Sequence, residues 1–208
     1  MDVIKKQKIV IAGGTGFVGQ GIIQQLSPEF FEVHSLSRHP FSSHAKDQTF
    51  YHAVDLSNPT EWQHIVADAD WIIDAIGILL PNPIKKQNYQ NSSYEPAKSI
   101  IDVLVAEPTP KFLFISANTG PFFMKPYLNA KRAVENEAKK RLASRAYFVY
   151  PGIIFDKARY SSYLPGLFLT YLSWIKYFNN LRPISRRDFA TNIENILLGK
   201  KSTLQQRS

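Results

Sequence analysis

Three side chains in the middle of this chain have types and spacing that could do acid–base chemistry. Ser116 closes an apolar, strand-like run. Tyr127 opens a long charged helical pattern, and Lys131 follows four residues later. Residues four apart on a helix share a face, so the Lys131 ammonium can sit near the Tyr127 phenol. A cation there draws the phenol down from its ordinary value of about 10, towards a range where it can give and take a proton. A hydroxyl at the strand end, that of Ser116, can hold a substrate oxygen. The chemistry these residues suggest is proton transfer to or from an alcohol or carbonyl oxygen.

Such chemistry needs a partner bound at the same sheet edge, and the N-terminal region offers a cradle for one. The apolar run from Ile9 to Ala12 meets Gly13, Gly16 and Gly19, and Phe17, Val18, Ile22, Ile23 and Leu26 then recur at helical spacing. Glycines three apart between a strand and a helix suit a tight turn that brings backbone against a pyrophosphate. The first permits the turn, the second lets backbone approach phosphate, and the third lets the helix pack close to the sheet. The amides and dipole at the helix start then favour the anion. The turn alone implies a phosphorylated ligand, and together with the downstream residues a dinucleotide.

The rest of the chain continues the alternation. Strands are predicted over 32–37, 49–54, 70–77, 111–116 and 146–150, with helices beginning near Pro59 and over 91–105 and 127–142. Pro96 fits the 91–105 helix only in its first turn or at a kink. Strand-helix alternation predicts an α/β fold, a Rossmann-type doubly wound parallel sheet in a single domain over 1–208. Residues 153–190 are read as a reduced substrate-side lobe or lid. Arg38, after the second strand, has no acidic neighbour to bond ribose hydroxyls. An arginine there can pair with a 2′-phosphate, so NADP(H) is favoured over NAD(H). The same arginine could instead lie on an exposed turn. Asp55 could accept from an adenine amino group or cap the helix that follows. Ala75, Ile76 and Gly77 offer backbone without bulky polar side chains, fit for a ribose.

Composition bounds the alternatives. The chain has 208 residues, no cysteine and a formal net charge of +8. Disulfides and thiolate metal sites are excluded. The positive charge suits an anionic ligand or surface. No zinc-finger spacing or arginine-rich tract supports nucleic-acid binding. His34, His39 and His44 lie five apart across a strand and loop, and no metal site is read from the five histidines. The polar N-terminus holds no signal-peptide core, and no apolar run is long enough to span a bilayer, so the expected location is cytoplasmic. Residues 164–178 are nearly all apolar apart from a stripe of Gly166, Thr170 and Ser173. That segment reads as a lid forming an apolar substrate pocket, a homodimer surface or a peripheral membrane contact, with Lys176, Arg182, Arg186 and Arg187 suited to anionic headgroups.

Taken together, these residues resemble the short-chain dehydrogenase/reductase superfamily, in its extended or atypical branch. The resemblance rests on Gly13, Thr15, Gly16, Phe17, Val18 and Gly19, on Asp55 and Leu56, on Ala75, Ile76 and Gly77, on Ser116, on Tyr127 with Lys131, and on Pro151 with Gly152. The run Tyr127, Lys131, Glu135 is similar to the complex I nucleotide-binding accessory subunits and coenzyme-Q-biosynthesis relatives, and 183–190 is similar to a segment closing the substrate side. The resemblance implies hydride transfer to or from NAD(P) with a small or apolar carbonyl or alcohol as substrate. Tyr127 would be the proton donor or acceptor, Lys131 would hold the nicotinamide ribose and depress the Tyr127 phenol, and Ser116 would orient the substrate. Asn91 resembles an asparagine on the corresponding helix. The short stretch after Gly152 disfavours a sugar-nucleotide epimerase or dehydratase. Atypical relatives also include proteins that bind the cofactor without known turnover, so a redox sensor or assembly factor is the alternative reading.

Overall fold

The structure, a computed structural model, describes residues 5–43, 47–120, 122–156 and 183–207. Residues 164–178, read as a lid, dimer surface or membrane contact, lie outside the described residues, as does most of the 153–190 lobe. Six strands, β1 (Gln7–Ala12), β2 (Phe31–Ser37), β3 (Phe50–Ala53), β4 (Trp71–Asp74), β5 (Lys111–Ile115) and β6 (Ala146–Val149), form one sheet in the order β3-β2-β1-β4-β5-β6. Every neighbouring pair is parallel. That order reverses direction at β1, so the crevice beyond the carboxyl ends of β1 and β4 is where such a sheet takes a ligand. The α/β fold expected from the sequence is the fold observed.

Period-2 alternation sends side chains of each central strand to two buried faces. On one face Val10, Ala12, Leu36, Ile72, Phe112 and Phe114 pack beneath α2 (Gln63–Val66), α3 (Glu95–Ala106) and α4 (Lys125–Leu142). On the other, Ile9, Ile11, Val33, Ile73, Leu113 and Ile115 pack beneath α1 (Phe17–Gln25) and α5 (Arg186–Leu197). Trp62, Phe112, Phe114 and Phe189 are the largest of the fully buried side chains. Each contributes on the order of 1.5–3 kcal/mol of burial free energy.

Local chemistry sets the element ends. Asp74 Oδ1 accepts from the Ile76 amide at 2.8 Å, which turns the chain out of β4 three residues earlier than sequence pattern suggests. Ala75, Ile76 and Gly77 are therefore loop. A π-helical turn over Gln90–Tyr94 runs directly into α3, with Pro96 in its first turn. Proline lacks an amide to bond the Ser92 carbonyl and its ring crowds that oxygen, and the wider π turn relieves both. Ser185 caps α5 by accepting from the Asp188 amide at 3.0 Å.

The 183–190 segment thus docks on α1, on the face away from α3 and α4. A short parallel pair joins Ile154–Phe155 to Ile184–Ser185, and Arg186 Nε bonds Asp156 Oδ2 at 3.0 Å. Phe189 buries between α5 and the sheet with no exposed surface. Phe189→Ala is expected to cost about 3–5 kcal/mol, measured as a lowered midpoint in urea unfolding of the full chain.

Candidate functional site

The site is assembled at the carboxyl ends of β1, β4 and β5. Gly13 leaves β1 with φ +81°, a conformation that only glycine adopts without strain. A Cβ on Gly19 would lie 2.4 Å from the Gly13 carbonyl oxygen, so α1 reaches its position only because that side chain is missing. Gly16 caps α1 without a side-chain hydrogen bond, and the first turn carries no acidic residue. The amides of that turn keep their capacity for an anion. Thr15, Phe17 and Val18 are half-buried around the turn. This turn fits a dinucleotide pyrophosphate: a close backbone cradle, open amides and no competing carboxylate.

At the end of β2, Arg38 is exposed. It lies near enough to Asp55 to help hold that carboxyl below its ordinary range, although the larger cause is the amide of Ser57. Asp55 Oδ1 accepts from that amide at 2.9 Å and its carbonyl accepts from Asn58. The helix at Pro59 has Asn58 as its N-cap and no side-chain cap bond, so Asp55 closes the turn ahead of that helix rather than capping it. Leu56 is buried, and its carbonyl accepts from Ser99 Oγ. Pro151 is buried at the end of β6, its carbonyl accepting from the Asn118 amide.

Lys131 is the centre of the site. It is 5% exposed, and its ammonium donates to the Ile115 carbonyl at 2.8 Å and the Ile76 carbonyl at 3.5 Å. The Phe114 ring lies 4.5 Å from Nζ. A Cβ placed on Gly77 would be 3.3 Å from Lys131 Nζ and 3.6 Å from Ser93 Oγ. A cation and a hydroxyl therefore converge beneath Gly77. Ser93 is buried and its Oγ has no hydrogen-bond partner among the described residues. A buried hydroxyl in that state fits a ligand hydroxyl. The family resemblance pointed to Asn91 instead. Asn91 is exposed and spends its side chain on the Asn88 amide and the Lys86 carbonyl. The π turn rotates the faces of this segment, and no residue-level signal marks which polar side chain it turns inward.

Tyr127 and Lys131 share one face of α4, as their spacing requires, but the expected effect of one on the other differs. Burial pushes the Tyr127 phenol up to about 12, and Tyr89, whose ring lies 5.8 Å away, pushes the same way. Lys131 does not offset this, because its ammonium is turned to the strand-end carbonyls. Ser116 also points elsewhere. It follows Phe114 by two, so it faces α4, and its Oγ donates to Glu135 Oε1 at 2.5 Å. Glu135 is 2% exposed and also takes Arg207 Nη2. The three residues thus come to one helix face and strand end, with the Ser116 hydroxyl bonded to Glu135 rather than to Tyr127. Among the described residues no group of histidines and carboxylates could hold a metal ion, and no helix is long and apolar enough to cross a membrane.

Comparison with known proteins fits this geometry. A family model described as the NAD dependent epimerase/dehydratase family matches residues 9–141. MIOREX complex component 2 of Saccharomyces cerevisiae is 25% identical over 205 aligned residues, covering 73% of this chain and 74% of that protein. An uncharacterized chloroplastic protein of Arabidopsis thaliana is 25% identical over 163 residues, covering 75% of this chain but 53% of that protein. The chain therefore spans about half the length of the plant relative. A structure of dTDP-glucose 4,6-dehydratase from Bacillus anthracis in complex with NAD superposes with a TM-score of 0.66 at 16% identity. It covers 92% of this chain and 71% of that one, and at this identity the likeness is one of fold.

The glycine turn yields a direct test. Gly19→Ala would drive a methyl group into the Gly13 carbonyl, and nothing there but backbone can give way. Equilibrium titration with NADP+ is expected to show at least about tenfold weaker binding, with melting lowered by a few degrees.

Proposed function

The chain belongs to the NAD dependent epimerase/dehydratase family, and on that premise we propose that it is an NADP(H)-preferring oxidoreductase acting on a small or apolar carbonyl or alcohol. The observation that carries this reading is the convergence of Lys131 and Ser93 beneath Gly77, one helical turn from Tyr127. When bound, the dinucleotide supplies the hydride that such chemistry moves. The open amides of α1 would take its pyrophosphate, and Lys131 with Ser93 would take hydroxyls of its nicotinamide ribose. Arg38, exposed and next to no acidic side chain in sequence, would meet the 2′-phosphate, which is what favours NADP(H).

Tyr127 is the proton-transfer group in this scheme. A phenol held up at about 12 keeps its proton at neutral pH, so its natural role is that of an acid, giving a proton to an alkoxide as a carbonyl is reduced. Lys131 orients the ribose rather than activating the phenol, since its donors go to the Ile115 and Ile76 carbonyls.

A second reading has its own observation. The Ser116 hydroxyl is given to Glu135, which leaves it without a proton for a substrate carbonyl. A dinucleotide-binding protein without turnover, a redox sensor or an assembly factor, has no need of that proton. The yeast relative is likewise named as a component of a complex rather than by a reaction.

One measurement separates these readings and a second tests the cofactor preference. NADPH oxidation over a panel of small aldehydes and ketones is expected to fall about 100-fold or more in Tyr127→Phe, with cofactor affinity within about threefold of the original. Equal consumption by both proteins would contradict catalysis while leaving binding intact. Arg38→Ala is expected to weaken NADP+ about tenfold and leave NAD+ within about twofold, as isothermal titration would show.

A further inference from the structure

Asp74 is the last residue of β4 and has no exposed surface. Its Oδ1 is committed to the Ile76 amide at 2.8 Å, whereas Oδ2 has no hydrogen-bond partner among the described residues. Register places Asp74 beside Phe114 on the neighbouring strand, on the face that looks towards α4. The Phe114 ring is the one lying 4.5 Å from Lys131 Nζ, and the Ile76 carbonyl that faces Nζ is two residues beyond Asp74. A carboxylate with a vacant oxygen and a buried ammonium thus occupy one dry corner of the sheet edge.

A buried ammonium needs more than carbonyl oxygens, which solvate it without cancelling its charge. Two carboxylates bear on Lys131, Asp74 first and Glu135 second. Glu135 is already matched, with Arg207 Nη2 on Oε1 and Lys139 Nζ 3.7 Å from Oε2, and with Ser116 and Tyr150 hydroxyls beside it. Lys131 is the sole charged side chain acting on Asp74 among the described residues. From α4 this corner is faced by Lys131 and, a turn away on either side, Tyr127 and Glu135. From the turn before α3 it is faced by the uncharged Ser93.

We propose that Asp74 is a positioning residue, the dedicated counter-charge that keeps Lys131 protonated and held at Gly77. The energetics run the same way. Burial, opposed by Lys131 and the Ile76 amide, leaves the Asp74 carboxyl raised to about 6, while burial pushes the Lys131 ammonium down and Asp74 holds it up. Above about pH 6 Asp74 is a carboxylate and can balance the Lys131 charge. Below that, Asp74 takes a proton and Lys131 loses its partner. The inference rests on the proposed function only where it makes Lys131 the ribose-binding group. The charge pairing itself does not depend on catalysis.

The test is a pH titration of the full chain labelled with 13C at lysine Cε, with the Lys131 resonance assigned by its loss in Lys131→Met. Asp74→Asn keeps the bond from the Ile76 amide and removes the charge, and Asp74→Ser serves if the amide fails to fold. Either variant is expected to lower the Lys131 midpoint by about one pH unit or more, and Glu135→Gln by less. NADP+ affinity at pH 8 is expected to fall about tenfold in the Asp74 variants. A Lys131 midpoint unchanged in both Asp74 variants, or moved further by Glu135→Gln than by either, overturns the proposal. A shifted midpoint with unchanged NADP+ affinity upholds the pairing and contradicts the assignment of Lys131 to the ribose.

Discussion

Removing an ammonium from water costs several kcal/mol unless the protein replaces the lost solvation, and Lys131 is almost wholly removed. Its replacement comes from three elements. β5 gives the Ile115 carbonyl and the Phe114 ring, the loop after β4 gives the Ile76 carbonyl, and Asp74 gives opposite charge. These groups coincide because β4 and β5 are adjacent and parallel, so their carboxyl ends finish side by side. The parallel order is therefore more than scaffolding. It brings two strand ends and one helix face to a point where a cation can be stored without water.

The opposite end of the site obeys a steric constraint instead. The approach of α1 to the turn after β1 leaves no room for a Cβ at position 19, and α1 is in turn held from outside by α5. Arg186 carries that contact. It pairs with Asp156 at 3.0 Å, reaches Gln24 at 3.2 Å, and lies 5.2 Å from the Phe17 ring at the start of the same helix. A segment 169 residues from Phe17 in sequence thus buttresses the helix whose amides face the anion. Rigid support of this kind is what lets backbone donors bind without being ordered first.

Much of this was legible in the sequence because it follows from periodicity. Six apolar runs separated by helical patterns fix a parallel α/β sheet, and Gly13, Gly16 and Gly19 locate its phosphate turn. The i, i+4 spacing places Tyr127, Lys131 and Glu135 on one face of α4. What periodicity omits is the destination of each polar atom. Ser116 and Phe114 share a strand face, so Ser116 turns to Glu135. Another partner of that carboxylate, Arg207, is 72 residues away and carries no local signal. The π turn before α3 exchanges Asn91 for Ser93 at the site. Asp74 reads in sequence as an ordinary strand end, since nothing local says that its second oxygen is buried beside a lysine.

The roles of the glycine turn, Lys131 and Ser93 all depend on where a dinucleotide sits, and a crystal structure of the full chain with NADP+ measures that most directly. The expected result is the pyrophosphate within hydrogen-bonding distance of the first amides of α1, with nicotinamide-ribose hydroxyls against Lys131 Nζ and Ser93 Oγ. A dinucleotide bound elsewhere, or a ribose that leaves Lys131 and Ser93 untouched, would contradict it.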